Sequence, residues 1–257
     1  MIRFVYVLRR KAGLSLAEFQ SYWRREHGPR LARHSTHLAV ARYVQMHTLE
    51  DPANEAMRAS RGLAEPYDGV AELWWNSLEE VAAASASAEG QAAAAELVED
   101  EKNFIDFSRS SLWFATDVPQ INPTPENIVA TERNSVVKLF YVFHRLPTLA
   151  KDQAQLYWRM NHGPLIRRHA QAARILRYIQ VHALDDALAE PIRAARGKME
   201  EAYDGHAELW YDRAAGGAAL TTEGQRAAAL FLEDEKKFID FPRSAMWFGK
   251  EVVFIDL

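Results

Sequence analysis

A chain of 257 residues with 48% hydrophobic content can bury a sizeable core, and its formal charge of −4, without a basic stripe, argues against a nucleic-acid partner. Cysteine is absent, which excludes disulfides, thiolate metal sites and a cysteine nucleophile, and fits a reducing, cytoplasmic setting. The apolar start of the chain is too short for a signal segment and no run approaches membrane-spanning length, so a soluble protein with no membrane partner is expected.

Every predicted element is met twice. Tyr-Trp-Arg-Arg-Glu-His-Gly-Pro at residues 22–29 returns as Tyr-Trp-Arg-Met-Asn-His-Gly-Pro at 157–164, an offset of 135 from Trp23 to Trp158 (158 − 23 = 135). Such a period suits a whole small domain rather than a solenoid unit. A β-rich run opens each half, at 2–9 and 136–145. A helix follows, with Ser15 and Glu18 at capping-box spacing and Leu16, Phe19 and Trp23 at helical intervals. Gly28-Pro29 predicts a break, because glycine accepts a left-handed helix end and proline suits the start of the next helix. A second strand over 42–49 alternates Tyr43, Gln45 and His47 on one face with Val44, Met46 and Thr48 on the other.

A polar helical excursion bearing Arg58 and Arg61 (Arg193 and Arg196 in the second copy) leads to Tyr67-Asp68-Gly69, a turn signal repeated around Asp204-Gly205. The third strand covers 70–75 and an alanine-rich helix covers 77–104. Its acidic run Glu99-Asp100-Glu101-Lys102, repeated as Glu233-Asp234-Glu235-Lys236, reads as an exposed helix face. Asp106 with Arg109, and Asp240 with Arg243, read as structural pairs before a fourth strand over 108–114. A short extra strand is suggested at 114–121 by its likeness to 248–255, and residues 122–134 read as a linker. The order per half is β-α-β-β-α-β, a ferredoxin-like arrangement, which makes the fold class α+β with units at 1–121 and 135–257.

The opening strand, the Ser-Leu-Ala-Glu-Phe-Gln-Ser-Tyr-Trp run and His-Gly-Pro at 15–29, met in both copies, resemble the EthD family, named for ethyl tert-butyl ether degradation and part of the dimeric α/β-barrel superfamily. The resemblance implies that two ferredoxin-like sheets close into one barrel, here within a single chain. It also implies a set of activities that the fold does not choose among: cyclases, aromatic dehydratases, cofactor-independent oxygenases, isomerases and haem enzymes.

Six of the nine histidines are paired by the repeat: His27 with His162, His34 with His169, and His47 with His182. His37, His144 and His206 stand alone. The sharpest candidates are His47 and His182. Each ends a Tyr-x-Gln-x-His face, and Glu72 or Glu208 on the next strand is expected to orient it as a general base. Tyr43 and Tyr178 would stabilise a developing oxyanion. His206 shares strand parity with Glu208, where the first copy has Val70, which predicts a more active C-terminal site. The bland reading is a set of satisfied hydrogen bonds that fix the sheet.

Substrate contacts are expected from His27, His34, His162, His169, Gln45, Gln180, Trp74 and Trp210, with Trp75, Trp113 and Trp247 as further aromatic walls. Arg61 and Arg196 would clamp a carboxylate at the mouth, unless they belong to a solvated helix face. No metal site and no cofactor are called for, although haem stays open because one axial histidine suffices. The expected function is a cofactor-independent, lyase-type enzyme (dehydration, decarboxylation or cyclisation) acting on an aromatic or polycyclic small molecule. The alternatives are a cofactor-free or haem-dependent monooxygenase and a non-catalytic binding protein. A homodimer of the two-unit chain is the only protein partner suggested.

Overall fold

The computed structural model describes residues 1–123, 128–216 and 221–256. In the first half the elements are β1 (Ile2–Leu8), α1 (Leu16–Tyr22), a π-helical turn (Trp23–His27), α2 (Gly28–Arg33), β2 (Arg42–Thr48), α3 (Pro52–Arg61), β3 (Gly69–Trp75), α4 (Leu78–Ala86), α5 (Ala88–Glu101) and β4 (Ser111–Ile121). The second half repeats them as β5 (Val136–Arg145), α6 (Lys151–Tyr157), a second π turn (Trp158–His162), α7 (Gly163–His169), β6 (Arg177–Ala183), α8 (Glu190–Ala194), β7 (Gly205–Asp212), α9 (Arg213–Gly216), α10 (Thr222–Glu235) and β8 (Ile239–Asp256). The class is α+β: eight antiparallel strands close into one barrel in the order β1-β3-β2-β8-β5-β7-β6-β4.

Each half contributes four neighbouring strands, and the seams are β2–β8 and β4–β6. The expected extra strand does not exist as a separate element. The fourth strand of each half simply continues past its own sheet and pairs across a seam: Ala115 to Ile121 with β6, and Gly249 to Asp256 with β2. Backbone donors and acceptors that would form an open edge are thereby paired, which removes the edge liability of an isolated sheet. Residues 124–127 of the expected linker lie outside the described residues, but beyond them Ala130 is buried and exchanges two hydrogen bonds with Glu251.

Two local expectations change. The capping box at Ser15 and Glu18 is present, but Gly28 does not end the helix. Its φ is −57°, and the chain runs from α1 through the π turn into α2 without a break. Glycine is required there for closeness instead: a Cβ on Gly28 would be driven into the Phe254 ring, and one on Gly163 into the Gln120 side chain. The alanine-rich helix is two helices, because Ser87, in extended conformation, caps α5 at the end of α4.

Strand alternation sorts side chains onto two surfaces. Val5, Val7, Met46, Val70, Trp113, Phe140, Val181 and Trp247 fill the barrel lumen. Phe4, Tyr6, Leu8, Tyr43 and Leu73 face outward and are covered by the helices of the first half, and Leu139, Tyr141, Phe143, Tyr178 and Leu209 do the same in the second. Each flanking core also receives residues from the opposite half: Ile192 joins the first, Met57 and Leu63 the second.

Candidate functional site

Two cavities of about 550 and 540 Å³ lie between the outer sheet face and the covering helices, one per half. Their walls are mainly apolar, and matching polar groups converge in both: Tyr6, His27, Tyr43, Glu101 and Arg196 in the first; Tyr141, His162, Tyr178, Glu235 and Arg61 in the second. A largely apolar hollow with a few convergent polar groups is what a small-molecule site needs.

The π turn places the histidine. One inserted residue lets the Gly28 N–H bond the Trp23 carbonyl, which sets Trp23 and His27 on the face toward the sheet. His27 Nδ1 lies 2.8 Å from Asp100 Oδ2, and His162 Nδ1 lies 2.8 Å from Asp234 Oδ2. With Nδ1–H donated to the carboxylate, Nε2 is the nitrogen left for a ligand. Asp100 is further held by the Tyr22 hydroxyl (2.8 Å) and Arg30 (2.9 Å). Burial opposes its ionisation, but the bonds from His27 and Tyr22 outweigh that and keep the carboxyl below its ordinary range. In the second copy the His162 bond, with help from Tyr157 and Lys237, holds Asp234 well below it.

Arginine reaches each cavity from the other half. Arg196, just beyond α8, donates to both oxygens of Glu101 at 2.7 and 2.6 Å, and Arg61, at the end of α3, grips Glu235 at 2.8 and 3.3 Å. These are fork-to-fork pairs in buried surroundings, where geometry decides whether a pair is tolerable at all. Beside them, the Tyr6 and Tyr141 hydroxyls are buried and have no hydrogen-bond partner.

The Tyr-x-Gln-x-His strand does not meet the glutamate expected to orient its histidine. In the β2–β3 register Val44 sits opposite Glu72, whereas Tyr43 and Gln45 face Leu73 and Ala71. Glu72 therefore points into the lumen and His47 outward, so the expected His47–Glu72 pair is not formed. The His182–Glu208 pair fails identically, with Ile179 opposite Glu208. Instead, His47 stacks on Trp23 with ring centroids 4.8 Å apart, and His182 on Trp158 at 4.5 Å. Gln45 donates to the Trp23 carbonyl (3.0 Å) and the Tyr43 hydroxyl (2.8 Å), and Gln180 to the Trp158 carbonyl (2.9 Å) and Tyr178 (3.0 Å). The Tyr-x-Gln-x-His face thus anchors the π turn that carries His27 or His162. Burial pushes His47 and His182 down to about 4, so both are neutral at ordinary pH. Neither lines a cavity, whereas Tyr43 and Tyr178 do.

The lumen collects the remaining candidates into an ion network. Arg3 bonds Glu72 (2.9 Å), Glu208 (2.6 Å) and Asp117 (2.8 Å); Lys138 bonds Glu72 (2.6 Å), Glu208 (2.7 Å) and Glu251 (3.3 Å). His206 stacks on Phe140 and lies 3.5 Å from Glu208, on the opposite face from His182, so it supplies no second imidazole to the C-terminal cavity and the expected advantage of that site loses its basis. Burial and the charge of Glu208 push the Glu72 carboxyl up, against the pull of Lys138 and Arg3. Glu72, His206 and Glu208 have metal-ligand spacing, alone among the described residues, but two internal cations already bond these carboxylates.

Trp74 and Trp210 lie against arginines, Arg3 and Arg42 over the first and Arg177 over the second, rather than in either cavity. Trp113 and Trp247 fill the lumen, and only Trp75 of the expected aromatic walls lines a flanking cavity. His34 pairs with Glu96 at the surface and His169 packs near Phe231; neither lines a cavity. Asp106 caps a short turn through Ser108 instead of pairing with Arg109. The acidic run does not form an exposed helix face: Asp100, Glu101, Asp234 and Glu235 are buried, Glu101 and Glu235 line the cavities with Tyr6 and Tyr141, and Asp100 and Asp234 hold the histidines. Their signal was present in the repeat, since all six return at equivalent positions of the two copies.

The chain is similar in fold to a candidate monooxygenase from Lactobacillus acidophilus (8% identity, 99% of this chain and 96% of that one, TM-score 0.47). Comparable likeness is found with a candidate monooxygenase from Fusobacterium nucleatum (7%, 98% and 93%, TM-score 0.48) and a dye-decolorizing peroxidase from Bacteroides thetaiotaomicron (9%, 96% and 92%, TM-score 0.47). No curated protein matches the sequence. The EthD domain model matches twice, over residues 11–108 and 146–242, once in each half of the barrel. The chain therefore belongs to the EthD family, with two EthD domains in one polypeptide.

Proposed function

We propose that the protein is an enzyme that moves protons on aromatic or polycyclic small molecules, with one reaction site in each flanking cavity. The strand order within each half supports reading the two units as ferredoxin-like domains, and the sites sit between each sheet and its helices. The single observation behind the activity is the His–Asp pair, 2.8 Å long, repeated at the wall of two apolar cavities. An imidazole whose Nδ1 is committed to a carboxylate presents Nε2 as a base and stabilises its own protonated form once the proton arrives.

His27 and His162 take the base role, replacing His47 and His182. Tyr22 and Tyr157 hold the carboxylates, while the Trp23–His47 and Trp158–His182 stacks hold the π turns. Proton abstraction next to a carbonyl opens dehydration and aldol-type cyclisation, and in decarboxylation the protonated imidazole would give its proton to the carbon that loses CO2; these are the lyase-type reactions this reading favours.

Exchange of the α-protons of 2-tetralone in D₂O, followed by NMR, tests the proton transfer without requiring the natural substrate. Wild-type protein should accelerate exchange equally with and without oxygen. His27→Asn combined with His162→Asn should remove about 10²-fold or more of that acceleration. An unchanged rate in the double variant, or no acceleration by the wild type, overturns the reading.

A further inference from the structure

At the floor of each cavity three groups meet: a tyrosine hydroxyl that no protein group accepts from, a glutamate carboxylate, and an arginine from the opposite half. Tyr6 is 3% exposed and Tyr141 5%, so neither hydroxyl is turned to solvent. A buried hydroxyl without an acceptor is costly, and such groups are uncommon in folded proteins. Finding the same orphan at equivalent positions of both copies points to a ligand that completes it.

The neighbouring charges narrow the ligand. Arg196 spends its fork on Glu101, and Arg61 on Glu235, so neither of these arginines is spare for an incoming carboxylate. Each glutamate oxygen accepts from arginine and retains a lone pair for a second donor. A ketone would satisfy the tyrosine but give nothing to the glutamate. A hydroxyl does both, because it accepts and donates at one oxygen. The walls around it are flat and apolar, with Trp75 and Phe114 in the first cavity and Tyr211 and Phe248 in the second.

We propose that each cavity is a phenol-recognition site, in which the ligand's hydroxyl accepts from Tyr6 Oη and donates to Glu101, or from Tyr141 Oη to Glu235 in the second. Arg196 and Arg61 are positioning residues that hold the glutamates in place. Since each arginine comes from the other half, neither site is complete in one domain alone. The inference depends on the function proposed above only for the choice of cavity, and it names the substrate class: fused or substituted aromatic rings bearing a free hydroxyl.

Titration calorimetry with 2-naphthol, 2-methoxynaphthalene and 2-methylnaphthalene tests it. Two molecules of 2-naphthol should bind per chain, about five- to tenfold more tightly than 2-methylnaphthalene, the worth of a neutral hydrogen bond. The methoxy compound accepts but cannot donate and should fall between them. Tyr6→Phe with Tyr141→Phe removes only two unbonded hydroxyls and should abolish the preference of naphthol over methylnaphthalene. Tyr141→Phe alone should abolish it at one of the two sites, and serves if the double variant does not fold. A preference that survives Tyr→Phe, or wild-type protein that binds all three alike, overturns the proposal. A methoxy compound as tight as naphthol overturns the part played by Glu101 and Glu235. If naphthol preference fails while tetralone exchange persists, only this inference falls; the converse result removes the proton-transfer reading and leaves phenol binding.

Discussion

The lumen and the flanking cavities are both lined by ionisable groups, but they solve opposite problems. In the lumen Arg3, Lys138, Glu72 and Glu208 are almost wholly buried and satisfy one another within 3 Å, on strands from both halves. In the cavities Glu101 and Glu235 are each held by one arginine, and Nε2 of a histidine and the hydroxyl of a tyrosine are left uncommitted. The denser cluster with the more perturbed titration is therefore the poorer candidate for chemistry. A strongly shifted buried group signals function only when something remains for a ligand to touch.

The largest effect expected from breaking this contrast is in the lumen. Lys138→Met removes the cation shared by Glu72, Glu208 and Glu251 and should cost about 3–5 kcal/mol, measured by denaturant unfolding, because it strands buried carboxylates. Under folding conditions the variant should still bind two naphthol molecules; a loss below about 1 kcal/mol would sink the structural reading of the network.

His206→Val sharpens the comparison through pH, since the first copy already carries Val70 there. Burial lowers His206 to about 4, against partial relief from Glu208. The unfolded chain thus takes up the proton first as pH falls, so the contribution of the neutral imidazole is full above about pH 6.5 and drains away toward pH 4. Between pH 7 and pH 5 the wild type should lose on the order of 2 kcal/mol more than the variant. Parallel stability curves for the two proteins would contradict a neutral, lumen-buried His206.

Smaller effects separate the two cavities. Gly28→Ala should cost about 1 kcal/mol by melting temperature, because the new methyl must displace Phe254, which is stacked on Tyr43. Gly163→Ala should cost less, since the obstacle is the flexible Gln120 side chain. If the second substitution were the more damaging, the assigned reason for glycine would be wrong. His34→Ala, which removes an exposed pair with Glu96, should change stability by less than about 0.5 kcal/mol and leave tetralone exchange untouched.

Much of the frame was legible in the chain. The doubled Trp-x-x-x-His-Gly-Pro motif, the capping box at Ser15 and the alternation along β2 follow from spacing alone, and the repeat announced two equivalent units. The site was legible only in part. The repeat marks His27, His162, Arg61 and Arg196, and all four line the cavities, though the arginines arrive from the opposite half. His47 and Glu72 part company because alternation tells which residues share a face, not what that face meets. A one-residue change of register separates Glu72 from His47 completely. Asp100 and Glu101 escape a sequence reading because a charged helical run is usually solvated, and the partners Tyr22, Arg30 and Arg196 make their burial tolerable.

The sequence by itself determined the duplication, the kinds and order of most elements and the pairing of histidines between copies, because these depend on local spacing and propensity. Only the tertiary structure decided which sheet face became lumen and which became cavity, that β4 and β8 cross the seams, and that each half lends its arginine to the other. Those outcomes depend on contacts between residues far apart in the chain, such as Arg196 with Glu101, which no local pattern encodes.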